Sequence, residues 1–360
     1  MTELTTFNPD WLSAPGETIA DLLEEKGWSQ TELATRTGFT RKHINELVAG
    51  KAALTPETAL KLESSLGGSA RFWLAREAQF REAAVRRAAV QSLDAEADWL
   101  RELPLAEMIK FKWVEKMAQK GAQVAACLAF FGVATVAAWR EKYEKPLAAF
   151  RASKLVPRTF GAIAAWLRQG ERQAAEIQCA KYDEERFRRN LRELRSLTCE
   201  RDPMVFVPRL LKTCRETGVA VVFVPAPTGC PTSGATRWLS SDRAILQLSL
   251  RYKTNDHMWF TLFHEAGHIV LHGRKLFLEG AGVIDERCEA EADAFAKDTL
   301  IEPAAAQLLK TLPKSHQGVE MFARQIGVAP GIVVGRMQKE GLLPWNHLNG
   351  LKERYRLTIS

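Results

Sequence analysis

Several things are missing from this 360-residue sequence. None of its six cysteines, at 127, 179, 199, 214, 230 and 288, forms a CxxC pair, which excludes a zinc ribbon or a dithiol redox motif. Scattered cysteines in a long chain fit a reducing cytosol, so a cytoplasmic location is expected. The opening residues, MTELTTFNPDWLSAPGE, lack a basic segment followed by an apolar run, so no signal peptide is expected. No charge-free stretch reaches the ~20 residues that a membrane span needs. The most apolar run, residues 124–139, is closed by Arg140 and Glu141 and reads as one buried helix, with no membrane partner expected. No fixed-period repeat is visible.

What is present is the composition of a folded globular chain, 46% hydrophobic and 26% charged. The net charge of +7 is unevenly spread: residues 1–80 carry −3, residues 81–215 carry +9 and residues 216–360 carry +1. The basic excess therefore lies in the middle, and charge alone does not mark the N-terminal segment as a nucleic-acid binder.

The punctuation of the chain suggests a mostly α protein with an α+β C-terminal domain. Residues 16–80 predict five short helices. Ser29 and Thr40 are N-cap residues, Thr55-Pro56 is a cap followed by proline at the first helical position, and Gly27, Gly38, Gly50 and Gly67-Gly68 mark the turns. Residues 81–202 read as a separate helical region broken at Pro104, Pro146 and Pro157, suited to dimer or partner contacts. From 203 to 312 the texture changes. VAVVFV at 219–224 predicts a strand, and 235–239 with 244–250 predict a hairpin around Ser240 to Arg243. Helices resume near Asp256 and Glu286, and 313–360 forms a C-terminal helical module with two short helices around Gly327-Val328.

The chemistry concentrates at His264-Glu265-Ala266-Gly267-His268. On a helix, positions i and i+4 share a face. His264 and His268 can therefore reach one Zn²⁺, while Glu265 between them can take a proton from a water and pass it to a leaving amine. Downstream, Glu289 and Asp293 are also i and i+4. A glutamate there can complete the ligand set, with the aspartate accepting a hydrogen bond from the far nitrogen of a ligand histidine. His272 is the competing third ligand. No glycine bend separates it from His268, so it falls a turn beyond the metal and serves better as a supporting histidine. Glu291 lies on another face, solvated or paired with Arg287. Cys230 and Cys288 lie near the site in sequence, with a zinc-capping thiolate as the alternative to free buried thiols.

The runs WFTLFHEAGHIVLHG and CEAEADAFAKDTLIEP, with Leu246 to Ser249 and Pro303, resemble the ImmA/IrrE family of metallopeptidases over about 203–340. The resemblance implies a gluzincin-like domain with a small sheet, zinc on His264, His268 and Glu289, Asp293 in support (where Asn is commoner) and Glu265 as catalytic base. It also implies cleavage of helix-turn-helix repressors in stress or mobile-element responses.

The N-terminal part resembles the lambda-repressor-like helix-turn-helix, in particular the HigA antitoxin type. The resemblance rests on WSQTELA at 28–34, Gly38, INEL at 44–47, Gly50-Lys51, Thr58-Ala59 and FWL at 72–74. Ala34 is small where two helices cross, and Leu33, Ile44, Leu47 and Leu62 form the core. Thr40, Arg41, Lys42 and Asn45 would face base edges of double-stranded operator DNA, with Lys51 adding to the basic face. Ser29 and Gln30 would hold a phosphate at the preceding helix start. Phe322 to Met337 repeats a helix-Gly-helix pattern, read as a packing module.

Two functions follow. One is a DNA-binding regulator with a zinc endopeptidase that cleaves a repressor or its own chain. The other is a HigA-like antitoxin and autorepressor that neutralises a cognate toxin, its zinc domain a sensor or scaffold. A homodimer is expected in either case.

Overall fold

A computed structural model describes residues 13–144, 157–249, 251, 253–273, 277–278 and 286–355. The chain divides into two compact units, one ending at Ala95 and the other beginning at Glu96.

The first unit is built from α1 (Pro15–Lys26), α2 (Gln30–Thr37), α3 (Arg41–Val48), α4 (Pro56–Leu66) and α5 (Ala70–Ser92). Hydroxyl side chains start four of the five. Ser29, Thr40, Thr55 and Ser69 each accept a hydrogen bond from a backbone N–H three residues on, at 3.1–3.2 Å. Such caps satisfy donors that a helix leaves orphaned, each worth about 1 kcal/mol. Gly38 adopts φ 70° at the turn between α2 and α3, a conformation that L side chains adopt reluctantly. Leu33, Ile44, Leu47 and Leu62 close the core, as the apolar spacing predicts, and Trp73 joins them. The fifth helix is not short. It runs 23 residues, past the boundary expected at residue 80, because nothing between Arg71 and Ser92 is a glycine or proline.

In the second unit, α6 (Leu105–Lys110) is followed by α7 (Lys120–Phe131) and α8 (Val136–Trp139). The single helix expected over 124–139 is thus two, because Gly132 takes φ 67° and ends α7. By length and apolar composition alone, residues Lys120–Glu144 could cross a membrane. The break at Gly132 and the packing of Phe131 on Trp99, Trp139 and Tyr143, with ring centroids 5.2–6.1 Å apart, make this stretch part of a core.

The helices α9 (Pro157–Glu176), α10 (Glu184–Ser196) and α11 (Pro203–Arg215) lead to β1 (Val219–Phe223), β2 (Gly234–Ser240) and β3 (Arg243–Leu248). Then come α12 (Asn255–Leu271), β4 (Phe277–Leu278), α13 (Glu286–Leu300), α14 (Pro303–Leu308), α15 (His316–Ile326) and α16 (Pro330–Lys339). The sheet order is β1-β3-β2-β4. β1 runs parallel to β3, and β2 runs antiparallel to both β3 and β4. The hairpin and strand therefore stand where the β-branched runs predict them.

Helix α9 corrects the expectation of a separate middle region. Trp166 Nε1 donates to Val224 O at 2.9 Å, Gln247 Nε2 donates to Trp166 O at 2.7 Å, and Arg237 pairs with Glu171 at 2.6 Å. These bonds tie 157–176 to the sheet, and residues 96–202 belong to the same unit as the strands. The apolar half of α9, including Phe160, Ile163 and Trp166, could bury itself only against such a surface. Opposite it, α12 contacts β2 and β3 and is buried nearly all round, from Asn255 to Val270. A helix without a solvated face belongs in the middle of a domain, and that is where this one carries its histidines.

Candidate metal centre and nucleic-acid interface

One helical turn sets His264 above His268, and both are buried to within 2%. Helix α13 crosses beside them because Gly267 leaves room: a Cβ there would lie 3.1–3.3 Å from Phe295 and the Ala292 backbone. Ala292 and Ala296 are fully buried on the facing side of α13. This close approach brings Glu289 to the histidines. His264 Nε2 and His268 Nε2 are 3.1 Å apart, and Glu289 oxygens lie 3.3 Å from the first and 3.5 Å from the second.

The donor set fits a tetrahedral ion. Ligand atoms ~2.0–2.1 Å from such an ion stand about 3.3 Å from one another, the geometry of one face of the tetrahedron. Tautomers point the same way. Asp293 Oδ1, an acceptor when ionised, lies 3.0 Å from His264 Nδ1, so that nitrogen carries the proton and Nε2 offers its lone pair. His264 above all, through this hydrogen bond, holds the Asp293 carboxyl below its ordinary range. His272 Nε2 lies 3.0 Å from Glu291 Oε2, and His272 Nδ1 lies 3.0 Å from His268 Nδ1. With Nε2–H given to a carboxylate, His272 accepts at Nδ1. His268 therefore donates from Nδ1 and also turns a lone pair toward Glu289. Burial first, then His264 and His272, push His268 down to about 3, so its ring is neutral at neutral pH. Three electron-rich atoms facing one another repel unless a cation stands between them.

His272 thus bridges His268 and Glu291 and lies outside the only cluster of metal-binding type among the described residues, which is His264, His268 and Glu289. Glu291, expected to be solvated or bound to Arg287, holds both: Arg287 Nε at 2.8 Å and the His272 ring. Cys230 is buried, with its thiol pushed up by burial to about 11, and neither it nor Cys288 joins the cluster.

Glu265 is fully buried beside the histidines. Its Oε2 lies 2.7 Å from Thr236 Oγ1, which donates to it. Gly234, two residues earlier on the same face of β2, brings the backbone close: a Cβ would sit 2.5 Å from Glu265 Oε1. Sequence reasoning missed both. The period-2 alternation of β2, with two small or polar residues on one face, was the available signal.

In the first unit, α3 buries Ile44 and Leu47 and exposes Arg41, Lys42 and Asn45 on its other side. No acid lies in its first turn. Thr40 is exposed but its hydroxyl caps the helix through His43 N–H, and Lys42 reaches Glu46 at 3.9 Å. Ser29 likewise caps α2, with its hydroxyl proton still able to serve a phosphate, while Gln30 is half-buried and Lys51 exposed.

A helix-turn-helix family model matches residues 19–73, and the model of the IrrE N-terminal-like domain matches residues 214–337. The chain joins a helix-turn-helix domain to an IrrE-like domain. The chain is 40% identical over 60 residues to a protein of Escherichia coli K12 described as an uncharacterized HTH-type transcriptional regulator, YddM. That alignment covers 17% of this chain and 64% of the relative's own length. The IrrE-like match runs from before β1 into α16, and so includes His264, His268 and Glu289 together with Thr236 and Glu265.

Proposed function

We propose that this protein is a cytoplasmic DNA-binding transcriptional regulator with a zinc-dependent endopeptidase domain, and that its substrate is a helix-turn-helix repressor. The observation that carries the peptidase reading is Glu265. A site built only to hold an ion needs three ligands and their supports. It does not need a fourth carboxylate, fully buried on the same helix and oriented by Thr236. Bound zinc would polarise a peptide carbonyl and acidify a water at this site. His264, His268 and Glu289 would hold the ion. Asp293 and the His272–Glu291 pair fix which histidine nitrogen faces it. Glu265 would move the proton: it accepts from the attacking water and delivers to the departing amine, while the Thr236 hydroxyl keeps its carboxylate from turning away.

This arrangement makes β2 sensitive at one backbone position. Gly234→Ala would drive a methyl group against the Glu265 carboxylate. Repressor cleavage is expected to fall at least tenfold while zinc content stays unchanged. Comparing initial cleavage rates with zinc analysis of the same preparation checks this, and loss of both together would mean that the strand rather than the carboxylate had moved.

The DNA reading rests on the exposed Arg41, Lys42 and Asn45 of α3 and on the match to a helix-turn-helix domain. Arg41→Ala is expected to weaken specific operator binding by ~1–3 kcal/mol, the value of a base contact. Lys42→Ala is expected to reduce the salt dependence of binding, as loss of a phosphate contact would. Titrations on the protein's own promoter fragment at two salt concentrations separate the two. Equal effects of both substitutions on random DNA and on the promoter would remove α3 as a reader of sequence.

A further inference from the structure

Five ion pairs at i and i+4 lie on the helices of the first unit, among the described residues. Four follow one order. Glu32–Arg36, Glu57–Lys61, Glu77–Arg81 and Glu82–Arg86 each place the acid a turn before the base, at 2.5–3.1 Å. That order suits the helix dipole and is the better one for stability. The fifth pair, on α3, is reversed. Lys42 precedes Glu46, and its Nζ lies 3.9 Å from Oε1, the loosest contact of the five. Helix α3 carries Arg41 and Lys42 in its first turn, where the dipole favours an acid, and Glu46 in its last, where it favours a base. All three charges stand against the stability of their own helix.

Their placement suits the outer face of α3 instead. At about 3.6 residues per turn, the direction opposite the buried Ile44 and Leu47 is that of Lys42, flanked by Asn45 and Glu46. The Lys42 and Glu46 side chains are 86% and 41% exposed. Ala49, one turn after Asn45, is exposed and too small to hold a partner off. A carboxylate on a surface that meets DNA is repelled by the phosphates, and residues 1–80 already carry −3. It gains there only by meeting a hydrogen-bond donor. In the major groove the donors are the exocyclic amines, N4 of cytosine and N6 of adenine. Adenine sets an acceptor, N7, beside its amine and so repels a carboxylate that approaches, whereas cytosine offers N4 without an acceptor of its own.

We propose that Glu46 selects operator sequence by accepting a hydrogen bond from N4 of a cytosine in the major groove, while Lys42 leaves it for a phosphate. The proposal rests on the reading of α3 as the operator-contacting helix. It adds to the cations of α3 a position that reads a donor rather than an acceptor.

The test selects sequences from a library of randomised DNA duplexes with the full-length protein and with its Glu46→Gln and Glu46→Ala forms. A cytosine in the wild-type consensus is expected to become adenine with Glu46→Gln, whose amide can meet N6 and N7 together, the ratio of the two bases changing roughly tenfold or more. Glu46→Ala is expected to remove the preference at that position and to leave the other positions as they were. Neither substitution is expected to lower the melting temperature, since Glu46 opposes its own helix dipole. A consensus common to all three forms would overturn the proposal, and a lowered melting temperature beside it would leave Glu46 as a structural partner of Lys42. Adenine at the affected position of the wild-type consensus would also overturn it. Lack of any consensus in the wild type would instead remove α3 as a reader of sequence, and this proposal with it.

Discussion

Glu265→Gln is expected to reduce cleavage of a helix-turn-helix repressor by ~10²–10⁴-fold, the usual consequence of losing a general base. Zinc content and operator binding are expected to stay as in the unmodified protein. Glutamine keeps the length of the side chain and an oxygen to accept from Thr236 Oγ1, so the fully buried position remains packed. What it loses is basicity. The experiment co-expresses either form with the regulators encoded beside its gene and follows products by intact mass. Identical products from both forms would assign the cleavage to another protease. No cleavage by either form, with zinc bound, would favour an antitoxin or sensor whose zinc domain is a scaffold. The antitoxin alternative also predicts a toxin that co-purifies with the chain, which the peptidase reading does not.

His264→Ala is expected to take the zinc content of dialysed protein from about one per chain to near zero. His264 touches every part of the centre: His268 at 3.1 Å, Glu289 at 3.3 Å and Asp293 at 3.0 Å. Removing it leaves one imidazole and one carboxylate, too few for a stable closed site. Asp293→Ala is expected to be milder, weakening zinc ~10–100-fold, because it removes only the acceptor that orients the ring. Elemental analysis across a chelator series distinguishes the two. Equal retention of zinc by both variants would place the ion elsewhere in the chain.

The helix-turn-helix core, the first strand and the hairpin were legible because they depend on local signals: cap residues, glycine turns and apolar periodicity. Leu33, Ile44 and Leu62 lie where that periodicity puts them. The pairs His264/His268 and Glu289/Asp293 were legible for a similar reason, since each sits at i and i+4 of one helix, whereas their meeting rests on the crossing of α12 and α13 at Gly267. Thr236 was not, because its relation to Glu265 is a tertiary contact between a strand and a helix 29 residues apart. His272 was legible as a support but its partner was not, because Glu291 reaches it only through the crossing of α12 and α13 at Gly267. The break at Gly132 was overlooked because a single glycine in an apolar run leaves the hydrophobicity unchanged while reversing the backbone. The attachment of α9 to the sheet depends on Trp166, Arg237 and Gln247, whose partners are far away in sequence.

The unequal burial of the three proposed ligands has a kinetic consequence. The histidines sit on the buried side of a helix closed nearly all round, whereas the Glu289 side chain is 29% exposed on α13. An ion bound here would exchange by a stepwise route: Glu289 lets go first, an incoming chelator takes its place, and the two imidazoles release last. The alternative, fraying of α12, requires opening the centre of the domain and is slow. Metal release should therefore be assisted by small chelators in proportion to their concentration. With no chelator present, it should become as slow as unfolding itself.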